Sequence, residues 1–292
     1  TLTKEGYLKR TSLRSYQSSN PKDISMRNGD QILFAQKMST LDQIVIFTNK
    51  GNAINRPVHE LPDIRWKDPG QHLSQSISLE PNERMVSVFA YSKLPKDKQF
   101  VFITRNGNIK QTNVEDFAHR RNYRTQSYVA IKLTDAADEL VNVFEVEEKN
   151  AYDVFLVSHR GYGLKYPLDE VSVYGPTAKG VKSMNLKEDD YVVAGIVFDS
   201  NKPSTHAMIV THRGAIKKMN LSEFDVIEYS DKPITLVTSE SNKVTFKAND
   251  YNVSDRYSNG SFILDEETEG QPVSYQYDDI LYEETEDASE KE

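Results

Sequence analysis

Residues 100–117 read FVFITRNGNIKQTNVEDF, and near copies of this stretch return along the whole chain. Residues 44–61 read IVIFTNKGNAINRPVHEL, 154–171 read VFLVSHRGYGLKYPLDEV, and 207–224 read AMIVTHRGAIKKMNLSEF. The glycines that anchor them, Gly51, Gly107, Gly161 and Gly214, are spaced 56, 54 and 53 residues apart. An incomplete copy opens the chain, TLTKEGYLKRTSLRSY, anchored on Gly6. A degenerate one at 234–251, ITLVTSESNKVTFKANDY, has Ser241 where the glycine belongs.

One copy can be read physically. Ile44, Ile46, Phe100, Phe102, Phe155 and Val157 lie in short β-branched and aromatic runs that favour strands. The turn glycine permits the positive φ of a tight hairpin, and a second strand such as Ile109 to Thr112 or Leu164 to Tyr166 follows. Nine and ten residues past the anchor comes an acid and then an apolar residue: Glu60-Leu61, Asp116-Phe117, Glu170-Val171, Glu223-Phe224 and Asp250-Tyr251. The apolar member reads as a plug into the core and the acid as a turn or loop tether. The second halves also recur, as HLSQSISLEPNERMVSVF at 72–89, SYVAIKLTDAADELVNVF at 127–144 and KGVKSMNLKEDDYVVAGIVF at 179–198. Each gives a strand ending in leucine, an acidic turn and a strand ending in phenylalanine, which makes a four-stranded unit. Six such units at this period predict an all-β, propeller-like array of antiparallel blades packed around a common axis.

Two irregularities stand out. Gly214 and Ser241 are only 27 residues apart, and after Phe224 the chain runs directly into DVIEYSDKP. The fifth unit is either truncated or lacks roughly 25 residues near 224–225; we favour the missing segment, since the sixth unit otherwise loses a packing surface. The expected organisation is one domain over 1–281 with a disordered acidic tail at 282–292, where apolar periodicity ends. The chain opens without methionine, as a piece of something longer would.

Cysteine is absent, which excludes thiolate metal sites and cysteine nucleophiles and suits a reducing cytoplasm. His59, His119, His159 and His212 come singly from different repeats and read as loop histidines. No phosphate loop, nucleophile elbow or zinc-protease motif is present, and Asp189-Asp190 and Asp278-Asp279 read as turn and tail acids, so no catalytic or metal residue is assigned. No apolar run approaches the roughly 20 residues of a membrane helix.

The net charge of −8 hides a gradient. Residues 1–134 carry 21 Lys+Arg against 12 Asp+Glu, residues 135–264 carry 14 against 20, and 265–292 carry 12 acids and only Lys291. Around the hairpin turns lie Lys4, Lys9 and Arg10, then Lys50 and Arg56, then Arg105 and Lys110, then Arg160 and Lys165, then Arg213, Lys217 and Lys218. Arg14, Arg65, Lys67, Arg120, Arg121 and Arg124 fall between the units, the last three in HRRNYR at 119–124. Lysine and arginine decorate any β surface, but repetition places these on one curved rim, which points to duplex DNA held by its phosphates and bent along the edge. A propeller-like protein-interaction scaffold, its acidic back half engaging a basic partner, is the alternative. Under the first reading the acidic tail competes with DNA for the rim.

The stretches TKEGYLKRTSLRSY, STLDQIVIFTNKGN, VHELPDIRWKDPGQHL and VTHRGAIKKMNLSEF together resemble the C-terminal domain of the A subunit of bacterial type IIA topoisomerases. The resemblance implies a six-bladed β-pinwheel, in which neighbouring blades exchange a strand and which binds and bends DNA. The Q-R-R-G-G-K-G box of gyrase A subunits is not matched; the corresponding front region reads SLRSYQSSNPKD. That points to the topoisomerase IV branch, Gram-positive in flavour. It implies a non-catalytic domain that presents the transported segment to a cleavage core and tunes topology preference. Its expected partners are double-stranded DNA, the N-terminal cleavage core of the same polypeptide and the ATPase B subunit. ATP and Mg2+ serve the parent enzyme and no cofactor serves this domain, which is expected in the bacterial cytoplasm at the nucleoid.

Overall fold

The computed structural model describes residues 1–118, 120–201, 206–210, 215–220, 234–246, 261–262, 268 and 272–277. It divides into two compact units, Thr1–Asp199 and Ser200–Glu292. The segment around 224–225 and the tail at 282–292 lie outside the described residues.

The first unit is built from β1 (Leu2–Thr3), β2 (Tyr7–Leu8), β3 (Ile32–Phe34), β4 (Gln43–Thr48), β5 (Asn52–Pro57), β6 (Gln71–His72), β7 (Met85–Tyr91) and β8 (Lys98–Thr104). It continues with β9 (Asn108–Asn113), β10 (Tyr128–Val129), β11 (Leu140–Glu147), β12 (Tyr152–Ser158), β13 (Gly163–Pro167), β14 (Val181–Lys182) and β15 (Val192–Asp199). Its four antiparallel sheets run β3-β1-β2-β6, β10-β5-β4-β7, β11-β8-β9-β14 and β13-β12-β15. The second unit holds β16 (His206–Val210), β17 (Ala215–Asn220), β18 (Ile234–Thr238), β19 (Lys243–Phe246), β20 (Ser261–Phe262) and β21 (Pro272–Tyr277). They form two three-stranded sheets, β16-β17-β20 and β19-β18-β21. Six anchors thus give six sheets, and the anchor at Ser241 holds a φ of +63° although it is not glycine.

The order within each sheet corrects one reading of the sequence. The strand that opens each second half does not stay with its own hairpin. β6 pairs with β2, β10 with β5 and β14 with β9, so each short strand completes the sheet of the preceding repeat. β20 likewise pairs with β17. Exchange therefore replaces the contiguous four-stranded unit. On this pattern a full fifth repeat would add one strand to the fourth sheet and one to the fifth, and both are three-stranded among the described residues.

Turn glycines serve the exchange. Gly51 has φ +74°, and its carbonyl accepts the amides of Ala130 (2.8 Å) and Ile131 (3.0 Å), just past the exchanged β10. A Cβ there would stand 2.5 Å from the Ile131 carbonyl oxygen. The carbonyls of Gly6 and Gly107 accept Leu73 and Ser183 in the same way.

The core lies between consecutive sheets. On β4, Ile44 and Ile46 join Leu2, Leu8 and Leu73 on one side, while Val45 and Phe47 join Phe100 and Phe102 on the other. On β8 the next pair alternates: Val101 and Ile103 pack with Val154 and Leu156. Central strands are apolar at successive positions because both faces are buried. The plugs Leu61, Phe117 and Val171 are buried, and Phe117 meets Phe47 and Phe100 edge-on with centroids 5.3 and 5.4 Å apart.

Candidate nucleic-acid interface

Three cations assigned to the outer stripe are inside. Lys9, Arg56 and Lys110 are 2%, 6% and 0% exposed. Lys9 Nζ donates to the carbonyls of Arg65 (3.2 Å), Trp66 (2.6 Å) and Asp68 (2.6 Å). Lys110 Nζ donates to those of Ala130 (2.5 Å), Gly175 (3.2 Å) and Pro176 (2.9 Å). Arg56 Nη1 donates to Asn55 O (2.9 Å) and Tyr123 O (2.7 Å), and Nη2 to Ser76 Oγ (3.0 Å) and Arg124 O (3.2 Å). A buried charge persists only where its donors are satisfied, and loop carbonyls supply that here. Burial pushes the Lys9 ammonium down to about 8 and that of Lys110 to about 7, and also lowers Arg56. Lys165 is half-buried and paired with Asp153 at 3.1 Å. These side chains are spent on the fold rather than offered to a phosphate.

What they hold are the segments that lead from each hairpin to its exchanged strand. The segment after the short helical turn Val114–Phe117 is the most basic. Its turns close by Tyr123 N to Arg120 O (3.0 Å) and Thr125 N to Asn122 O (3.1 Å). Arg56 grips it from within. From the other side Glu60 accepts the Tyr123 hydroxyl (2.7 Å) and Arg124 Nε (3.0 Å), and the Arg124 hydrogen bond holds the Glu60 carboxyl down to about 2. The acid of the acid-apolar pair thus acts as a loop tether at Glu60, while Asp116 and Glu170 are exposed. Arg120 lies over the Tyr128 ring at 4.7 Å, and the exposed Arg121 has no ion pair among the described residues. Three exposed arginines therefore fall within five positions on a braced loop.

The preceding segment, clasped by Lys9, carries exposed Arg65 and Lys67, partnered by Asp68 (2.9 Å) and Asp23 (3.7 Å). Its Trp66 is buried edge-on against Tyr16, 4.8 Å away, on the helix α1 (Leu13–Gln17) that also carries exposed Arg14. Arg10 pairs with Asp63 at 3.6 Å. The segment clasped by Lys110 offers Lys179, exposed and absent from the sequence-based set, as is Arg27 over the Tyr7 ring at 5.1 Å. Aligning the connecting segments rather than the hairpin turns would have found Lys179, while Arg27 sits in the turn that closes at Asp30.

The hairpin tips are electrostatically different. The backbone amides before three turn glycines, those of Glu5, Asn106 and Arg160, donate to Asp30 (3.1 Å), Asp138 (2.9 Å) and Asp190 (3.1 Å). At the remaining tip of the first unit, Glu83 accepts Thr48 Oγ1 (2.6 Å) and Asn52 Nδ2 (2.9 Å). The recurrent acidic turn is thus a brace for the tip. Lys4 and Arg160 interact electrostatically with Asp30 and Asp190; Lys4 is lowered by burial, and Arg105 stacks on Tyr191, 3.5 Å from its centroid, which also stacks on His159 at 4.7 Å. Arg213 lies outside the described residues, and Lys217 and Lys218 fall on β17. Among the described residues no His, Cys, Asp and Glu group could hold a metal ion, and no helix is long and apolar enough to cross a membrane.

Comparison with known proteins agrees with this architecture. The family model described as DNA gyrase C-terminal domain, beta-propeller, matches residues 1–36, 42–92, 98–147, 152–199 and 205–254. The A subunit of DNA topoisomerase 4 from Bacillus subtilis (strain 168) is 36% identical over 295 residues, which takes in 92% of this chain and 36% of that protein. Its counterpart from Streptococcus pneumoniae serotype 4 is 35% identical over 306 residues, 91% of this chain and 36% of that protein. The chain therefore spans about a third of the length of these relatives. The crystal structure of the C-terminal domain of DNA topoisomerase IV matches with a TM-score of 0.85 and 39% identity, covering 94% of this chain and 91% of that one. The DNA gyrase A C-terminal domain, at 23% identity and a TM-score of 0.64 over 94% of this chain and 97% of that one, shares the fold. With five matched segments that take in all six repeat anchors, the chain belongs to the gyrase C-terminal beta-propeller family, on the side of its topoisomerase IV members.

Proposed function

We propose that this chain is the domain of a topoisomerase IV A subunit that binds and bends DNA, and that duplex lies along its connecting segments rather than its hairpin tips. The observation that carries this is the braced loop with exposed Arg120, Arg121 and Arg124, set in a front region of 21 Lys+Arg against 12 Asp+Glu. Arg65, Lys67 and Arg14 extend the positive surface, while at the tips the backbone amides themselves are bonded to the carboxylates of the acidic turns. Phosphate contacts of this kind position duplex without reading bases, and they offset the energy of bending it.

In the parent enzyme the domain presents the transported segment to the cleavage core of its own polypeptide, tuning topology preference in decatenation and supercoil relaxation. It takes no catalytic step; ATP and Mg2+ act in the core and the B subunit, in the cytoplasm at the nucleoid. We read residues 1–281 as one pinwheel domain and the rest as its tail. The test is duplex binding titrated with salt, for the chain and for the R120E/R121E/R124E variant. Affinity should fall steeply with salt and drop at least about tenfold in the variant. Binding that ignores both would favour the protein-interaction scaffold.

A further inference from the structure

We propose that Lys9, Arg56 and Lys110 are positioning residues, each supplied by one repeat to fix the connecting segment of the next, so that DNA affinity depends on side chains DNA cannot reach. This rests on the reading that those segments meet DNA.

The pattern recurs. Lys9 and Lys110 lie three residues past Gly6 and Gly107, and Arg56 five past Gly51. Both offsets are odd, and a strand repeats every two residues, so all three leave the second strand on one face. Each reaches carbonyls far along the chain: Trp66 is 57 residues from Lys9, Tyr123 is 67 from Arg56, and Pro176 is 66 from Lys110. Those carbonyls belong to irregular backbone that has no ladder to satisfy it, and a buried cation with several donors is what lets it turn inward. Holding the backbone from inside leaves the exposed cations of the same segment in a fixed arrangement, which lowers the ordering cost of binding.

Arg56 is the sharpest case. Its two terminal nitrogens have four N–H groups and four acceptors: Asn55 O, Tyr123 O, Ser76 Oγ and Arg124 O. A lysine has three donors on one nitrogen and cannot span the two ends of that fork. Arg56→Lys should therefore rescue the charge and the fold while rescuing the loop only in part.

The experiment compares the chain with its R56M and R56K variants by tryptic cleavage after Arg120, Arg121 and Arg124, and by binding to a short fluorescent duplex across a salt series. Cleavage should speed up about tenfold in R56M and by less in R56K. Affinity should fall about fivefold or more, and adding R121Q should cost less in the R56M background than alone, because a loosened loop has already lost that contact. If R56M does not fold, R56K supports the same comparison. Unchanged cleavage, faster cleavage with unchanged affinity, or full additivity with R121Q would each overturn the proposal. If R120E/R121E/R124E binds as the unaltered chain does while R56M still loosens the loop, the DNA reading has failed and the tether has not.

Discussion

The guanidinium of Arg56 and the carbonyl oxygen of Tyr123 are 2.7 Å apart across 67 positions of sequence. That bond joins the hairpin of the second repeat to the connecting segment of the third. It ties a packing interaction inside the array to the surface where the exposed charge is densest.

Charge reversal separates the two rims. R121E, at an exposed side chain with no ion pair among the described residues, should weaken duplex binding about tenfold and lower the salt slope by roughly 2. R160E, whose backbone amide is bonded to Asp190 at 3.1 Å, should change affinity by less than about threefold. Anisotropy titrations at matched ionic strength check both.

A pair of glycine substitutions reports the worth of strand exchange. Gly161 has φ +83° with nothing within 4 Å of where a methyl group would sit, so G161A should cost about 1 kcal/mol from the backbone alone. At Gly51 the φ is +74° and the added carbon meets the Ile131 carbonyl at 2.5 Å, so G51A should cost about 3 kcal/mol or more. Urea unfolding followed by tryptophan fluorescence measures the difference.

Removing a buried cation should cost more than removing an outer one. K110M fills the space but leaves the carbonyls of Ala130, Gly175 and Pro176 without a donor, a loss of about 2–4 kcal/mol. K50M, on a half-buried tip lysine, should stay within about 0.5 kcal/mol by the same unfolding measurement.

Acid should release the loop from Glu60. Its carboxyl titrates at about 2 in the fold against 4.5 for the ordinary group, so the unfolded chain binds the proton first. The stabilisation is complete above 4.5 and is lost as pH falls toward about 2. E60Q should remove that part of the acid sensitivity, seen as a flatter dependence of the urea midpoint on pH through this window.

Much of the fold was legible because the repeat writes it several times. Phe100 to Ile103 is apolar at every position, and burial on both faces of a central strand is what that requires. Ser241 was readable as an anchor from its place in the repeat, and its φ of +63° fits the turn. Strand exchange was not legible from residues, since two-residue strands such as Tyr128–Val129 carry no periodic signal; the family resemblance alone implied it. The buried cations were misplaced for a related reason. Lys110 is followed by Gln111 and Thr112, which looks like a solvated face, yet all three are buried, and Lys110 meets the carbonyl of Gly175 65 residues away.

Strand exchange also sets a timetable for synthesis. The edge of β5 is complete at Pro57, but its partner β10 begins only at Tyr128. At about 5–20 residues per second, the newly made edge waits on the order of ten seconds on the ribosome for the repeat that will cover it. The first three blades are each finished by the following repeat, so the growing chain trails an open β edge as it is made, and a stall between repeats leaves that edge exposed to pairing with another nascent chain.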